Sequence, residues 1–564
     1  MANGKYDYVI VGAGTAGCVL ANRLSADPTI SVLLVEAGMD LIPGREPKSI
    51  RSPFPVSYGD PRFGWKNLIA EVGADFDDGN PVSTRLYMQG RLMGGSSSIN
   101  GMVAQRGLPS DFDEWERLGA AGWNWAGVLP YFNRLETDWD FEGPLHGNTG
   151  PIPIRRDPRT SWPPFVRAVS EQMEAEGHPF NPDFNGFFGD CLSAMPMSNT
   201  PTQRVSAAMG YLNEEVRQRP NLTIVTDTLV GRVVIEQGQA TAVEAHAGSG
   251  PVLYFGSEIL ICAGAIHSPA LLMRSGIGPV EHLRHAGIEV AVDRPGVGQN
   301  LFNHAIAYIA VHLPRASKQD KSLTSWGFSV LRYSSGHPDG KAGDMQIFPV
   351  NRTSWHPLGR RIGALGVCMY KPYSTGTIEV RSSDPNDEPI VKFRLLSDRR
   401  DFDRMVDGLS KAARILGSPR VRAVTNESFL PLDGQDNALN QPTLLNWLKS
   451  TVINALFELS SSLRRALLAR AFVDLDGLAS DRKACEDVVR RAGGAVHHGS
   501  GTCRMGRDND PKAVVDPSCR VYGVRQLRVI DASIMPIVVS ANTHLAALMI
   551  GEKGAQLILD ERNT

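Results

Sequence analysis

Tyr8-Val-Ile-Val-Gly12-Ala-Gly14-Thr15-Ala16-Gly17 runs from an apolar, β-branched strand directly into a helix that continues through Cys18-Val-Leu-Ala-Asn-Arg-Leu24. A second apolar strand, Ser31-Val-Leu-Leu-Val-Glu36, follows and ends in a carboxylate 24 residues after Gly12. Each glycine has its own task in such a segment. Gly12 permits the tight turn, Gly14 lets the backbone approach a pyrophosphate at the helix N-terminus, and Gly17 lets helix and strand pack closely. Glu36, with Ala37 behind it, stands where a carboxylate accepts hydrogen bonds from ribose hydroxyls. Strand, glycine turn, helix, strand and acid in that order predict a dinucleotide site in an α/β domain. The fingerprint alone does not separate NAD from FAD. No second G-x-G-x-x-G occurs, which argues against a separate NAD(P)H domain.

The rest of the chain limits the function classes. Its 564 residues suffice for two to four domains. Hydrophobic residues make up 42% and charged residues 21%, as in ordinary globular proteins. A net charge of −2 gives no basic surplus, so no nucleic-acid partner is implied. No apolar run reaches the roughly 18 residues of a membrane span. The N-terminus enters the first strand without a signal-peptide core, and the seven cysteines are scattered with no C-x-x-C. These features predict reduced thiols in a cytoplasmic protein, with neither disulfide frame nor zinc site.

A second glycine cluster follows: Gly90-Arg-Leu-Met-Gly94-Gly95-Ser96-Ser97-Ser98-Ile99-Asn100-Gly101-Met102-Val103, with Gly107 and Asp113 beyond it. Further segments are Gly264-Ala-Ile-His267-Ser-Pro, Arg294-Pro-Gly-Val-Gly298-Gln-Asn300 and Leu527-Arg-Val-Ile-Asp531-Ala532-Ser. Near the C-terminus come His497-His498-Gly-Ser-Gly501-Thr502 and Ser540-Ala-Asn542-Thr543-His544. In that order, over the whole chain, these segments resemble the glucose–methanol–choline (GMC) flavin oxidoreductases. Within that family the chain is most similar to the bacterial branch acting on 5-hydroxymethylfurfural and aromatic alcohols.

The resemblance implies FAD as cofactor. Gly12, Gly14, Thr15, Ala16, Gly17, Glu36 and Ala37 would hold its ADP part, with the Val230 backbone at the adenine. Gly90, Gly94, Gly95, Ser96, Asn100, Gly101, Met102 and Val103 would line the pyrophosphate and the isoalloxazine. Asp531, Ala532, Asn542 and Thr543 would reach the pyrophosphate and ribityl region. Some relatives attach the flavin through a histidine in this signature; Ile99 stands at that position here, so dissociable FAD is expected. The family register, three residues before Gly501-Thr502, selects His498 rather than His497 as catalytic base, with Asn542 as its partner. A neutral imidazole suits removal of a hydroxyl proton. His497 and Val103 are assigned to the substrate pocket. His497 replaces an aromatic ring expected there, either polarising the pocket or filling it. His267 and His304 are expected to be packing residues, with a touch on the flavin-side loop as the alternative for His304, and His544 is expected to face solvent or cofactor. The Gly499-Ser500-Gly501 spacing does not fit a nucleophile elbow, and no metal site is expected.

A doubly wound, Rossmann-like FAD domain is expected over residues 1–155, 200–310 and 485–564. A second α+β substrate domain, 156–199 and 311–484, would rest on a mostly antiparallel sheet with strands near 307–313, 344–350, 362–370 and 376–381. A helix is expected from about Asp401. Residues 443–473 predict two helices packed on this domain, with a lid, a dimer face or a membrane-surface helix as alternatives. The expected reaction is oxidation of primary aromatic or furanic alcohols to aldehydes, and on to acids through hydrates, with O2 giving hydrogen peroxide. The alternatives are a dehydrogenase passing electrons to a quinone or other carrier, a hydroxynitrile lyase, and a non-catalytic flavoprotein. A monomer or homodimer is expected.

Overall fold

The computed structural model describes residues 5–73, 82–248, 250–431 and 439–563. Two seven-stranded sheets carry the architecture. Their strands are β1 (Tyr6–Val11), β2 (Val32–Val35), β3 (Cys191–Ala194), β4 (Leu222–Val225), β5 (Leu229–Glu236), β6 (Gln239–Ala247), β7 (Gly250–Ile261), β8 (Ala305–His312), β9 (Ser329–Tyr333), β10 (Met345–Val350), β11 (Ile362–Met369), β12 (Ser428–Phe429), β13 (Gly494–Ala495) and β14 (Leu527–Val529).

The first sheet runs β4-β2-β1-β7-β6-β5, with β14 beside β7. β4, β2, β1, β7 and β14 are parallel. The parallel sheet expected from the sequence is present, and β5, β6 and the first half of β7 add an antiparallel meander to it. β7 is long enough, at 12 residues, to serve both parts: its second half pairs parallel with β1. Val9, Ile10, Leu33, Leu34, Leu260 and Ile261 are fully buried, as parallel strands covered on both faces require. Helix α1 (Thr15–Leu24) follows β1. β2 lies on one side of β1 and β7 on the other, so the chain order reverses at the end of β1. Ligands of doubly wound sheets bind at such a switch point.

The second sheet runs β12-β8-β11-β10-β9-β3, with β13 beside β8, and every pair is antiparallel. One face (Ile309, Leu331, Met345, Ile347, Leu365, Val367) joins the main core, which includes α2 (Arg399–Gly417). The helix starts at Arg399, two residues before the start predicted near Asp401, and Asp398 caps it by accepting from Arg400 N at 2.9 Å. The other face (Ile306, Phe348, Val350, Ala364, Cys368, Tyr370) packs with Met102, Val103 and Met195.

One expectation changes and another is met. The strand near 376–381, Thr377–Glu379, belongs to a separate four-stranded sheet with Ile390–Lys392, Ile69–Glu71 and Thr84–Leu86. Gly376 permits this: a Cβ there would lie 1.8 Å from the Lys392 carbonyl oxygen. The 443–473 stretch does form two helices, α3 (Leu444–Leu459) and α4 (Ser461–Leu468), broken where the Ser460 hydroxyl caps Leu463 N. They pack through Phe457 and Leu468 on Phe429 and Leu358, but Leu444, Leu448, Val452 and Leu459 face outward. No helix among the described residues is long and apolar enough to cross a membrane.

A buried charge cluster anchors the loop that follows Val103. Arg106 pairs with Glu136 at 2.6 Å, and Arg156 with Asp138 at 2.8 Å. His146 bridges Asp138 (3.2 Å) and Asp183 (2.9 Å). Glu136, Asp138 and His146 could together offer three metal-ligand atoms, but the two guanidinium groups already neutralise the carboxylates. Burial opposes the His146 charge, yet hydrogen bonds donated to Asp138, Asp183 and Glu136 overcome it and push the pKa up to about 10. The charged imidazolium therefore stabilises the fold fully below its unfolded pKa, and this contribution is lost as pH rises through about 10. His146→Gln is expected to lower the thermal midpoint at pH 7, with the gap to wild type closing by pH 10 to 11 in melting curves.

Candidate active site

The ends of β1, β2 and β7 open onto one cavity of about 840 Å3 that continues to the antiparallel sheet. At its nucleotide end, Gly14 is the N-cap of α1 and offers no side-chain cap. The first N–H groups of α1 are left for a ligand, and their dipole favours an anion. Gly12 adopts φ +99°, and a Cβ there would stand 2.7 Å from Cys262 O. Gly17 does not line the cavity; a Cβ on it would stand 2.0 Å from Gly12 O, so it sets the approach of helix and strand. The second glycine cluster folds onto the first: Gly94 N donates to Ala13 O at 2.7 Å, and a Cβ on Gly95 would meet Gly14 Cα at 2.9 Å.

Glu36 is buried, accepting from Ala13 N and Gly38 N at 2.9 Å each. Burial raises its pKa to about 7 against those two bonds, so further donors such as ribose hydroxyls would favour its charged form. Asp531 behaves differently. Its carboxylate accepts from Gly264 N, Ser268 Oγ and Ser533 N, all protein donors.

At the far end His498 and Asn542 meet, Nε2 to Nδ2, at 3.0 Å. They come from segments 44 residues apart. Asn542 is the N-cap of α5 (Thr543–Arg562), but its side chain does not cap that helix. It turns instead to His498 and to Tyr370, whose hydroxyl donates to Oδ1 at 3.0 Å. That bond orients the amide with Nδ2–H toward His498, so His498 Nε2 is an acceptor. The Nδ1 atom of His498 then carries the proton and donates to His304 Nδ1 at 2.8 Å. His304 is fully buried, and burial together with His498 and Lys371 holds its pKa well below the usual imidazole value. The His498 backbone N–H donates to Asn303 Oδ1 at 2.9 Å. Burial, with His497 nearby, pushes the pKa of His498 down to about 3, leaving a neutral imidazole.

His497 sits in the left-handed region (φ 64°), an uncommon conformation for a non-glycine residue that clusters at functional sites. Its Nε2 lies 2.8 Å from the Tyr58 hydroxyl and its ring 4.4 Å from that of Tyr87. Its Nδ1 has no protein partner among the described residues.

Family models of the GMC oxidoreductases match residues 6–306 and 372–551.

The chain belongs to the GMC oxidoreductase family.

It is an FAD-dependent oxidoreductase acting on CH–OH groups. It is 39% identical to 5-(hydroxymethyl)furfural oxidase of Methylovorus sp. (strain MP688), over all of both chains. It is 32% identical to the mitochondrial choline dehydrogenase of Homo sapiens, over 98% of this chain and 90% of that one. Its structure is similar to pyridoxine 4-oxidase from "Mesorbium loti", with a TM-score of 0.82, 28% identity and 99% of each chain covered.

The cavity fits the GMC cofactor. The uncapped α1 terminus, the buried Glu36 carboxylate and two stacked glycine turns form one end of it, and the His498–Asn542 pair lies at the other. Of the residues assigned from sequence to the cofactor, to catalysis or to the substrate pocket, all line the cavity except Gly17 and Gly94, which pack directly behind it. His544 lines it too, at the start of α5. His267 also reaches the wall, stacked on Trp65 at 3.9 Å. His304, expected to pack or to touch the flavin-side loop, is the hydrogen-bond partner of His498. Tyr370 had no sequence signal, since nothing local marks a strand-end tyrosine as facing Asn542. If His304 orients the imidazole, His304→Gln retains FAD and leaves KM nearly unchanged. Anaerobic flavin reduction by alcohol then slows roughly tenfold to a hundredfold, as for other partners that orient a functional histidine; stopped-flow absorbance measures it.

Proposed function

We propose that this chain oxidises primary aromatic or furanic alcohols to aldehydes, and hydrated aldehydes onward to acids, with O2 as electron acceptor and dissociable FAD. The observation that carries the reading is the 3.0 Å approach of His498 Nε2 and Asn542 Nδ2 on the wall of the cavity that begins at the nucleotide fingerprint. The 39% identity to a 5-(hydroxymethyl)furfural oxidase supports the substrate class. The aromatic and apolar wall of the substrate side suits a flat ring: Tyr58, Trp326, Phe348 and Val103 all line it.

FAD, when bound, supplies the two-electron acceptor for the carbinol C–H bond. The residues of the chain manage the oxygen. His498 Nε2 presents its lone pair and takes the hydroxyl proton. Asn542 Nδ2–H donates to the same oxygen as negative charge develops on it. As His498 becomes imidazolium, its Nδ1–H stays on His304 Nδ1, so the ring does not turn. Tyr370 keeps the Asn542 amide facing inward. The N-terminus of α5, left uncapped by Asn542, adds a positive field at this end of the cavity. Buried Ile99 offers no nucleophile to bond the cofactor, which supports a dissociable FAD.

His498→Ala is expected to retain FAD and to slow anaerobic flavin reduction by about 10²–10⁴-fold, the usual contribution of a general base. Reduction at wild-type speed would remove His498 from this role. A base whose pKa lies near 3 is fully deprotonated above about pH 5, so kcat/KM is expected to show no acid limb from His498 between pH 5 and 8. One hydrogen peroxide per aldehyde in air is expected; turnover only with an added quinone would make the enzyme a dehydrogenase.

A further inference from the structure

The cavity face of the antiparallel sheet carries three polar side chains, Tyr308, Gln346 and Tyr370, on an otherwise apolar surface, and the reaction does not use Gln346. Along β8 it presents Ile306, Tyr308 and Ala310, and along β10 it presents Gln346, Phe348 and Val350. β11 contributes Ile362 and Ala364, and Gly366 leaves the gap into which Tyr308 and Phe348 lean. Tyr370 is committed to Asn542. Gln346 is fully buried, lines the cavity, and neither its Oε1 nor its Nε2 meets a protein partner among the described residues. In the sheet register it stands opposite Cys368, two residues before Tyr370, and Cys368 in turn stands opposite Ile306. The amide therefore sits on the same face as Tyr370, one step along the strands from the residue that orients Asn542.

A buried amide carries two donors and an acceptor, and leaving them unmade is costly. The apolar cluster on this face includes Tyr370, with Tyr308 and Trp326 packed against it, but the Tyr370 hydroxyl donates to Asn542 and Trp326 Nε1 to Gly101 O, and neither polar atom of Gln346 reaches a partner among the described residues. A well-packed core of this composition would be filled by leucine or methionine. We propose that Gln346 is a specificity-determining residue that holds a polar substituent, a carbonyl or hydroxyl, carried by the ring of the alcohol beyond its carbinol group. The assignment rests on the alcohol-oxidising reading above. The pocket then selects doubly functionalised ring alcohols, because a hydrocarbon-substituted ring leaves the amide unpaired. Sites built to pair a substrate's polar group discriminate strongly against analogues that lack it.

The test uses holoenzyme and a matched pair of alcohols, 5-(hydroxymethyl)furfural and 5-methylfurfuryl alcohol, which differ by a carbonyl against a methyl group. Wild type and the variants Gln346→Leu and Gln346→Met are compared by anaerobic flavin reduction and by steady-state kcat/KM. The expected result is a loss of roughly tenfold to a hundredfold in kcat/KM for the aldehyde-bearing alcohol, with the methyl analogue within about threefold of wild type. The thermal midpoint is expected to hold or rise in both variants, since each removes an unpaired buried amide. An equal loss on both substrates, or a lowered midpoint with that equal loss, would make Gln346 structural and overturn the proposal. Unchanged kinetics on both would overturn it as well. If wild type is reduced by neither alcohol, the alcohol-oxidation reading fails first, and the proposal falls with it.

Discussion

The hydrogen bond between His304 Nδ1 and His498 Nδ1, 2.8 Å long, is the contact on which the arrangement of the site depends. Two imidazoles can share that distance only if one donates and the other accepts. Tyr370 decides which, by holding Asn542 so that its amide N–H faces His498 Nε2. The proton is thereby fixed on Nδ1 and the lone pair on Nε2, which faces Asn542 Nδ2 and, in the proposed reaction, would take the alcohol proton. The same chain of contacts crosses the molecule. His304 immediately precedes β8, Tyr370 immediately follows β11, and Asn542 opens the long helix packed on α1. The antiparallel sheet and the nucleotide sheet are thus locked together at the atoms that would do the chemistry.

Electrostatics follows from this burial. Three imidazoles around the reaction centre, His304, His497 and His498, all have lowered pKa values, with burial as the first cause of each. No carboxylate hydrogen-bonds the His498–His304 pair among the described residues. The partner that a carboxylate provides in a serine-protease triad is here a neutral ring. It orients without adding negative charge beside the cofactor site. The charged groups are instead kept to a separate cluster, where Arg106, Arg156 and His146 neutralise Glu136, Asp138 and Asp183 and fix the loop carrying Val103 and Gln105 to the cavity.

Much of this was legible in the order of residues. The fingerprint from Tyr8 to Gly17, with Glu36 after it, specified strand, turn, helix and strand, because each glycine position answers a local steric demand. The second cluster at Gly90–Val103 and the paired segments at His498 and Asn542 named both ends of the cavity. The strands near 307, 344 and 362 were legible as strand-like runs with turn signals between them, and their antiparallel arrangement was implied by the family resemblance. The outward-facing leucines of α3 were not, because helical spacing states that a face is apolar and leaves open what covers it. Nor was the separate sheet holding Thr377–Glu379, which depends on a close approach of Gly376 to Lys392.

The sequence by itself therefore determined the nucleotide half of this protein, since glycine turns and buried parallel strands are enforced by contacts within a few tens of residues. The resemblance to the family, and not spacing alone, pointed to His498 and Asn542 as the candidate pair. Only the tertiary structure decided how those groups act. The tautomer of His498, the orientation of Asn542 and the unpartnered amide of Gln346 depend on atoms brought within hydrogen-bond range, or kept out of it, across 44 to 194 residues of chain. Hydrogen bonds are set by angles and tenths of an ångström, and that information exists only once both sheets have closed on the cavity.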